Sequence, residues 1–307
     1  MLEHVAFNRG MTPIDPAPDP SWGRWGPDDE RGALNTLGPR AVARGLACVV
    51  DHVAVSLAAP IVAGRSTGAV GRPAPAHHML RDGGDYAAGL PERGGFGFSD
   101  DVITLPTHGV THLDALAHIW KDGLMYNGHP STEVSSRGAR RLGIHTVGPI
   151  LTRGVFVDLV PAGRSWLDPG EAVGVADLRA KLDAADVTLE PGDALLVRTG
   201  WTQAWIAGEN DPHRWPGLHA DCADWLAEQD LALVGADNIG VEAFPSSDPD
   251  CQVPLHLALL RGHGVIFCEL LDLAALAETG RSTFLFIASP LNLVGAVGGP
   301  VAPVALL

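Results

Sequence analysis

Four side chains able to hold a divalent cation fall close together in LPTHGVTHLDALAHIW, residues 105–120: His108, His112, Asp114 and His118, spaced 4, 2 and 4. Gly109, Val110 and Thr111 disfavour a regular helix between the first two histidines. Read as extended chain, positions 108, 112 and 114 differ by even numbers. That places His108, His112 and Asp114 on one side of the backbone. Two imidazoles and a carboxylate converging on one point form a ligand set for a divalent metal with open positions. From Asp114 onward, DALAHIW reads as a helix with Asp114 at its N-cap. His118 then sits one turn in, near the ion but out of the ligand row, where a general base for an activated water belongs. Burying four such groups without a common partner would cost several kcal/mol in total.

The rest of the chain has to carry this segment. It has 307 residues, 46% hydrophobic and 19% charged, which is enough apolar material for a buried core and excludes wholesale disorder. Lys plus Arg is 21 against 36 Asp plus Glu, a net charge of −15. That excludes nucleic acid and an anionic membrane surface as partners, since both need a basic footprint. Small anionic substrates stay open, because a metal or a few local arginines can reverse the field. Cys48, Cys222, Cys251 and Cys268 are scattered and form no C-x-x-C pair, so free thiols are expected. The first twenty residues lack the basic and apolar regions of a secretory signal, which makes the cytoplasm the expected compartment. The apolar stretch from Phe284 to Leu307 is interrupted by Pro290, Asn292, Pro300 and Pro303 and reads as strand and loop. No glycine-rich nucleotide loop occurs, which disfavours nucleotide cofactors, and Ser246-Ser247 lacks a G-x-S-x-G frame, which disfavours a serine nucleophile there.

Short apolar runs predict strands over Val53–Leu57, Val102–Leu105, Gly154–Val160, Ala194–Arg198, Leu231–Gly235, Val265–Cys268 and Thr283–Ala288. Helices are predicted over Pro39–Val49, Val175–Ala185, Ala220–Gln229, Pro254–Arg261 and Leu273–Ala277. The Gly- and Pro-rich stretch Ala63–Asp101 reads as a long irregular loop covering a site. The expectation is one α/β domain over residues 39–307. Residues 1–38, rich in Pro and Trp, form an arm packed on the body or on a neighbouring subunit. Trp22, Trp25 and Phe96 are candidates to line a substrate pocket, and Asp237, Asn238 and Glu242, after a strand end, to border it. Glu269 directly follows VIFC. A carboxylate there is poorly solvated unless it meets a cation or accepts hydrogen bonds.

The segment resembles the signature of the cyclase family, which includes bacterial kynurenine formamidases and isatin hydrolases: His-x-Gly-Thr-His-x-Asp-x-Pro-x-His. The chain matches at His108, Thr111, His112, Asp114 and His118 and departs at Val110 and Leu116. SWGRWGPDDERGALN (21–35) is similar to the opening of the longer members. ALLVRTGW (194–201), PGL (216–218), GADN (235–238) and HLALLRGHGVIFCELLDLAALA (256–277) resemble later parts of the family.

The resemblance implies a ββα three-layer swivelling-domain fold, in homodimers or homotetramers. It implies that His108, His112 and Asp114 hold a first ion. His256 and Glu269 then complete a second or line the site, and His118 with Glu269 forms the acid/base pair. The cofactor is a divalent metal, Zn or Mn, as one or two ions. The expected activity is metal-dependent hydrolysis of a small amide, an arylformamide or a cyclic amide such as isatin, with a place in tryptophan catabolism. A lactone hydrolase, a cyclase or dehydratase using the same ion, and a non-catalytic metal or ligand binder are the alternatives.

Overall fold

The structure, a computed structural model, describes residues 21–69, 71–92, 94–246, 248 and 250–307. Residues 1–20 of the expected arm lie outside the described residues. Strands run in chain order as β1 (Ala54–Ser56), β2 (Ala76–Arg81), β3 (Asp100–Thr104), β4 (His112–Asp114), β5 (Val134–Ser135), β6 (Gly138–Ala139), β7 (Ile150–Asp158) and β8 (Ala172–Val173). They continue as β9 (Ala194–Arg198), β10 (Gly217–Leu218), β11 (Leu233–Ala236), β12 (Ile266–Glu269), β13 (Thr283–Ala288), β14 (Gly298–Pro300) and β15 (Val304–Leu306). The helices are α1 (Pro39–Leu46), α2 (Gly83–Ala87), α3 (Val175–Ala184), α4 (Trp201–Ala207), α5 (Cys222–Glu228) and α6 (Ala274–Glu278), with a π-helix at His256–His263.

Among the described residues, nine strands form one mixed sheet in the order β1-β15-β13-β7-β9-β11-β12-β4-β14. Its centre, β7-β9-β11-β12, is parallel, and both flanks are antiparallel. Period-2 alternation sends Leu196, Leu233, Ile266 and Cys268 to one face, where they meet Leu113, Tyr126 and Leu276. Leu195, Val197, Val234 and Phe267 go to the other, against Leu178 and Leu182 of α3, Leu226 of α5 and Leu259 of the π-helix. Burial on both faces is why these strands read as unbroken apolar runs. At the N-terminal end of β9, buried Asp193 is held by Arg44 and Arg153, at 2.8 and 2.6 Å.

Residues 21–36 lie against the body. Trp22 Nε1 donates to the Arg261 carbonyl at 3.0 Å, Tyr126 donates to Asp29 at 3.1 Å, and Glu30 accepts from Arg141 and from the Leu142 amide, both at 2.7 Å.

Three local expectations need correction. DALAHIW is not a helix: Asp114 ends β4 and residues 115–118 make a turn closed by the His118 amide on the Ala115 carbonyl at 2.8 Å. The extended reading holds only from His112, because residues 106–109 turn, with the Gly109 amide on the Pro106 carbonyl at 3.0 Å. The stretch Ala63–Asp101 is not wholly irregular, since it contains β2 and α2 and reaches the first residues of β3, paired antiparallel with β2. The four cysteines are free.

Candidate metal centre

The site forms where β4 is clamped between β12 and β14. His112 and Asp114 are two residues apart in β4 and share a face, while Leu113 between them enters the core. Glu269 stands opposite His112 in the β12–β4 register and shares that face. Glu269 is also the last residue of a parallel strand, and ligand sites of open α/β sheets collect at such carboxyl ends. Thr111, the signature threonine, donates to the Leu270 carbonyl at 2.6 Å and accepts the Ala59 amide at 2.9 Å, fastening the start of β4 beside Glu269.

His108 arrives on the 106–109 turn, its carbonyl accepting Arg72 Nη1 at 2.8 Å and its Nδ1 3.0 Å from Thr107 Oγ1. Its Nε2 lies 3.3 Å from Asp114 Oδ1, over Gly298 of β14. A Cβ on Gly298 would be 2.3 Å from that nitrogen, so only glycine leaves room for the ring. His118 stacks on His108, ring centroids 4.1 Å apart. His256 opens the π-helix and points Nε2 at Glu269 Oε1 (3.3 Å) and Asp114 Oδ2 (3.6 Å). His112 Nδ1 is occupied by the Val110 carbonyl at 2.8 Å, which turns Nε2 toward Asp114 Oδ1 (3.3 Å) and Glu269 Oε2 (3.4 Å). The six residues expected from the sequence to hold the ion or to move its protons thus meet.

Asp114 and His112 are fully buried, and Glu269 is 2% exposed. Yet His108 Nε2, His112 Nε2, both Asp114 oxygens and Glu269 Oε1 have no hydrogen-bond partner among the described residues. Buried polar atoms are normally paired, and these converge. His108, Asp114 and His118 offer ligand atoms within 4.8 Å of one another, as do His112, Asp114 and Glu269. The donor set of nitrogens and carboxylate oxygens therefore fits a divalent cation, with Asp114 common to both groups.

The electrostatics agree. Burial, aided by the neighbouring His118 and His112 and opposed by Asp114, pushes His108 down to about 3. Burial also lowers His118, against the pull of Asp114 and Glu269. Both rings are thus kept neutral, as a ligand or a base must be. Burial alone would raise Asp114, but His118, His112 and His256 hold it well below the usual carboxylate range. His256 moves the other way: burial lowers it, and Asp114, Glu242 and Glu269 together raise it well above an ordinary imidazole. Three carboxylates around one imidazole demand positive charge at this point, which a divalent ion supplies.

A family model described as "Putative cyclase" matches residues 25–243. The chain belongs to the cyclase family. A crystal structure of a novel cyclase superposes with a TM-score of 0.85 at 36% identity, covering 93% of this chain and 99% of that one. An isatin hydrolase bound to the product analogue thioisatinate shares the fold at 19% identity, TM-score 0.62, over 86% of this chain and 95% of that one. Kynurenine formamidase of Bacillus cereus is 30% identical over 143 residues, 45% of this chain. The matched region spans 62% of that relative's length. The fold is the mixed α/β fold of the cyclase family.

Two of the three aromatic candidates stack with arginines, and the third is exposed. Trp22 lies under the Arg261 guanidinium, Trp25 under Arg24, and Phe96 is 65% exposed. Two residues not picked out from the sequence border the centre instead. Arg72 holds the His108 carbonyl, and its charge reaches His108 and His118. Trp215 stacks on Phe244 at 4.5 Å; a Cβ on Gly240 would lie 3.6 Å from His256 Cε1 and 3.9 Å from Trp215 Nε1, which puts that buried N–H, without an acceptor among the described residues, close to His256. Neither carries a sequence signal beyond its type, since each reaches the site through a loop.

Proposed function

We propose that this member of the cyclase family is a metal-dependent hydrolase of a small amide, an arylformamide or a cyclic amide such as isatin, using Zn or Mn. The observation that carries the reading is the set of buried, unpartnered ligand atoms of His108, His112, Asp114 and Glu269. A divalent cation held there supplies Lewis acidity, which brings the deprotonation of water toward pH ~7 and polarises a carbonyl.

The chain's own residues do the rest. Asp114 stays anionic and anchors both ligand groups. His118, kept neutral by burial, accepts the proton of the attacking water and orients it. His118 then returns that proton to the leaving nitrogen, directly or through Glu269. Arg72 and the Trp215 N–H offer donors for the substrate's acceptor atoms and for the carboxylate formed on hydrolysis. Burial of the cluster excludes bulk water, which strengthens each of these interactions. The isatin hydrolase fold and the kynurenine formamidase similarity support the amide class. The same centre would open lactones, which have the same carbonyl chemistry. We further propose that the protein works in solution as a homodimer or homotetramer on a small molecule. Among the described residues no helix is long and apolar enough to cross a membrane.

The test is turnover by the metal-reconstituted protein with N-formylkynurenine, isatin and a lactone panel. Hydrolysis of one amide, lost on chelation and restored by Zn or Mn, is expected. Metal binding without turnover of any panel member would overturn the hydrolase reading.

A further inference from the structure

Glu242 carries a buried carboxylate, 4% exposed, in the loop after β11. The loop is tightly specified. Asn238 gathers it, accepting the Val241 amide at 2.9 Å and donating to the Pro216 carbonyl at 2.5 Å. Leu218 of β10 pairs with Glu242, and a Cβ on the adjoining Gly217 would sit 2.4 Å from the Glu242 carbonyl carbon. Glu242 thus has a fixed backbone from which to aim.

Its carboxylate meets no Lys or Arg among the described ion pairs; its one ion-pair partner is His256. Oε2 accepts the Leu255 amide at 2.7 Å, and Oε1 accepts the His256 amide at 3.3 Å and closes a short hydrogen bond with His256 Nδ1. The two amide contacts cap the start of the π-helix, and a smaller acceptor could do that much. The contact with Nδ1 goes further. It ties the outer nitrogen of a ring whose inner nitrogen faces Glu269 and Asp114. Phe267 packs edge-on against the same ring at 4.7 Å, and Gly240 lies by its Cε1, so the ring is held on three sides.

We infer that Glu242 is a positioning residue: by holding the proton on His256 Nδ1, it presents the Nε2 lone pair of His256 to the metal centre. A carboxylate behind a histidine in this way fixes the tautomer and raises ligand basicity. With the other tautomer, Nε2–H would face the ion and Nδ1 would face Glu242 with two lone pairs opposed. The inference rests on the metal-centre reading above.

Two measurements test it. First, Zn²⁺ affinity is measured by chelator competition for the wild type, Glu242→Gln and Arg44→Gln. The second variant removes one arginine from buried Asp193, at the other end of the sheet, and so lowers stability without touching the site. Glu242→Gln is expected to lose roughly 10–100-fold in affinity, and Arg44→Gln to lose none at comparable loss of Tm. Equal affinity for Glu242→Gln and wild type, or an equal loss in Arg44→Gln, would overturn the role. Second, ¹⁵N NMR of the His256 ring in the wild type needs no variant to fold. A slowly exchanging proton on Nδ1 is expected, and its absence would refute the assignment. If the wild type binds no Zn²⁺, the metal reading fails by itself, and the Nδ1 proton still decides whether Glu242 holds the ring.

Discussion

His118 stands at a fork that the geometry makes sharp. It belongs by distance to a ligand group with His108 and Asp114, and by its stack on His108 it is also placed to serve as a base beside that group. The role assigned above predicts that His118→Ala keeps its metal and loses turnover. A general base contributes ~10²-fold or more, and at about 1.36 kcal/mol per decade that is about 2.7 kcal/mol of activation free energy. The folding cost is smaller. Removing the stacked partner of His108 forfeits ~0.5–1.5 kcal/mol, which moves Tm by only a few degrees in a chain this long. The variant is therefore folded at assay temperature, and a hundredfold loss of kcat cannot be assigned to unfolding. Asp114→Ala is the counterpart: it removes the carboxylate shared by both ligand groups and should arrive empty. The assay is metal content by mass spectrometry on both variants, with kcat and KM on whichever panel substrate the wild type turns over. If His118→Ala also arrives without metal, it is a ligand and the division of roles is wrong.

The acid limb of kcat should lie below the ordinary imidazole value of ~6.5, because burial lowers His118. A depressed pKa leaves the neutral base present above it, so activity falls as pH drops through it; a limb at or above 6.5 in the pH profile would exclude His118 as the base. Gly298→Ala puts a methyl 2.3 Å from His108 Nε2, and overpacking of ~1–3 kcal/mol should weaken metal binding by roughly 10- to 100-fold in chelator competition. Arg72→Met should raise the Ki of a carboxylate product roughly tenfold or more through loss of a charged hydrogen bond, with metal content unchanged; an unaltered Ki would remove Arg72 from the site.

The central strands were legible because burial on both faces leaves ALLV and VIFC with no polar interruption. The cluster on and around β4 was legible because His, His, Asp and His at 4, 2 and 4 have no ordinary reason to gather. The helix expected after Asp114 failed for the complementary reason. Leu113, Ala115, Leu116 and Ala117 are all buried, so residues 113–117 have no solvent face, and packing rather than helix propensity sets their path. β2 escaped because AHHMLR is largely exposed and shows no apolar alternation, whereas its partner β3 overlaps the strand expected over Val102–Leu105. The link from Glu242 to His256 depends on a loop with Gly240 and Val241 at positive φ. Nothing in the residue types announces that the loop turns back on the π-helix.

The register of β4 is what converts distant residues into one centre. With Cys268 opposite Leu113, Glu269 falls opposite His112; with Gly299 opposite Leu113, Gly298 falls opposite Asp114 and clears space for His108. A slip of one residue would turn Leu113 into the site and drive His112 and Asp114 into the core. What forbids the slip is the apolar face, where Leu113 and Cys268 are fully buried beside Ile266. The chemistry on one face of β4 is therefore held in place by the hydrophobic packing on the other. Three residues are a short strand to bear this, and the clamp by β12 and β14 on either side is what makes it sufficient. A strand so short cannot choose its register by its own pairing energy, so a core substitution at Leu113 should loosen the ligand cluster without touching any ligand.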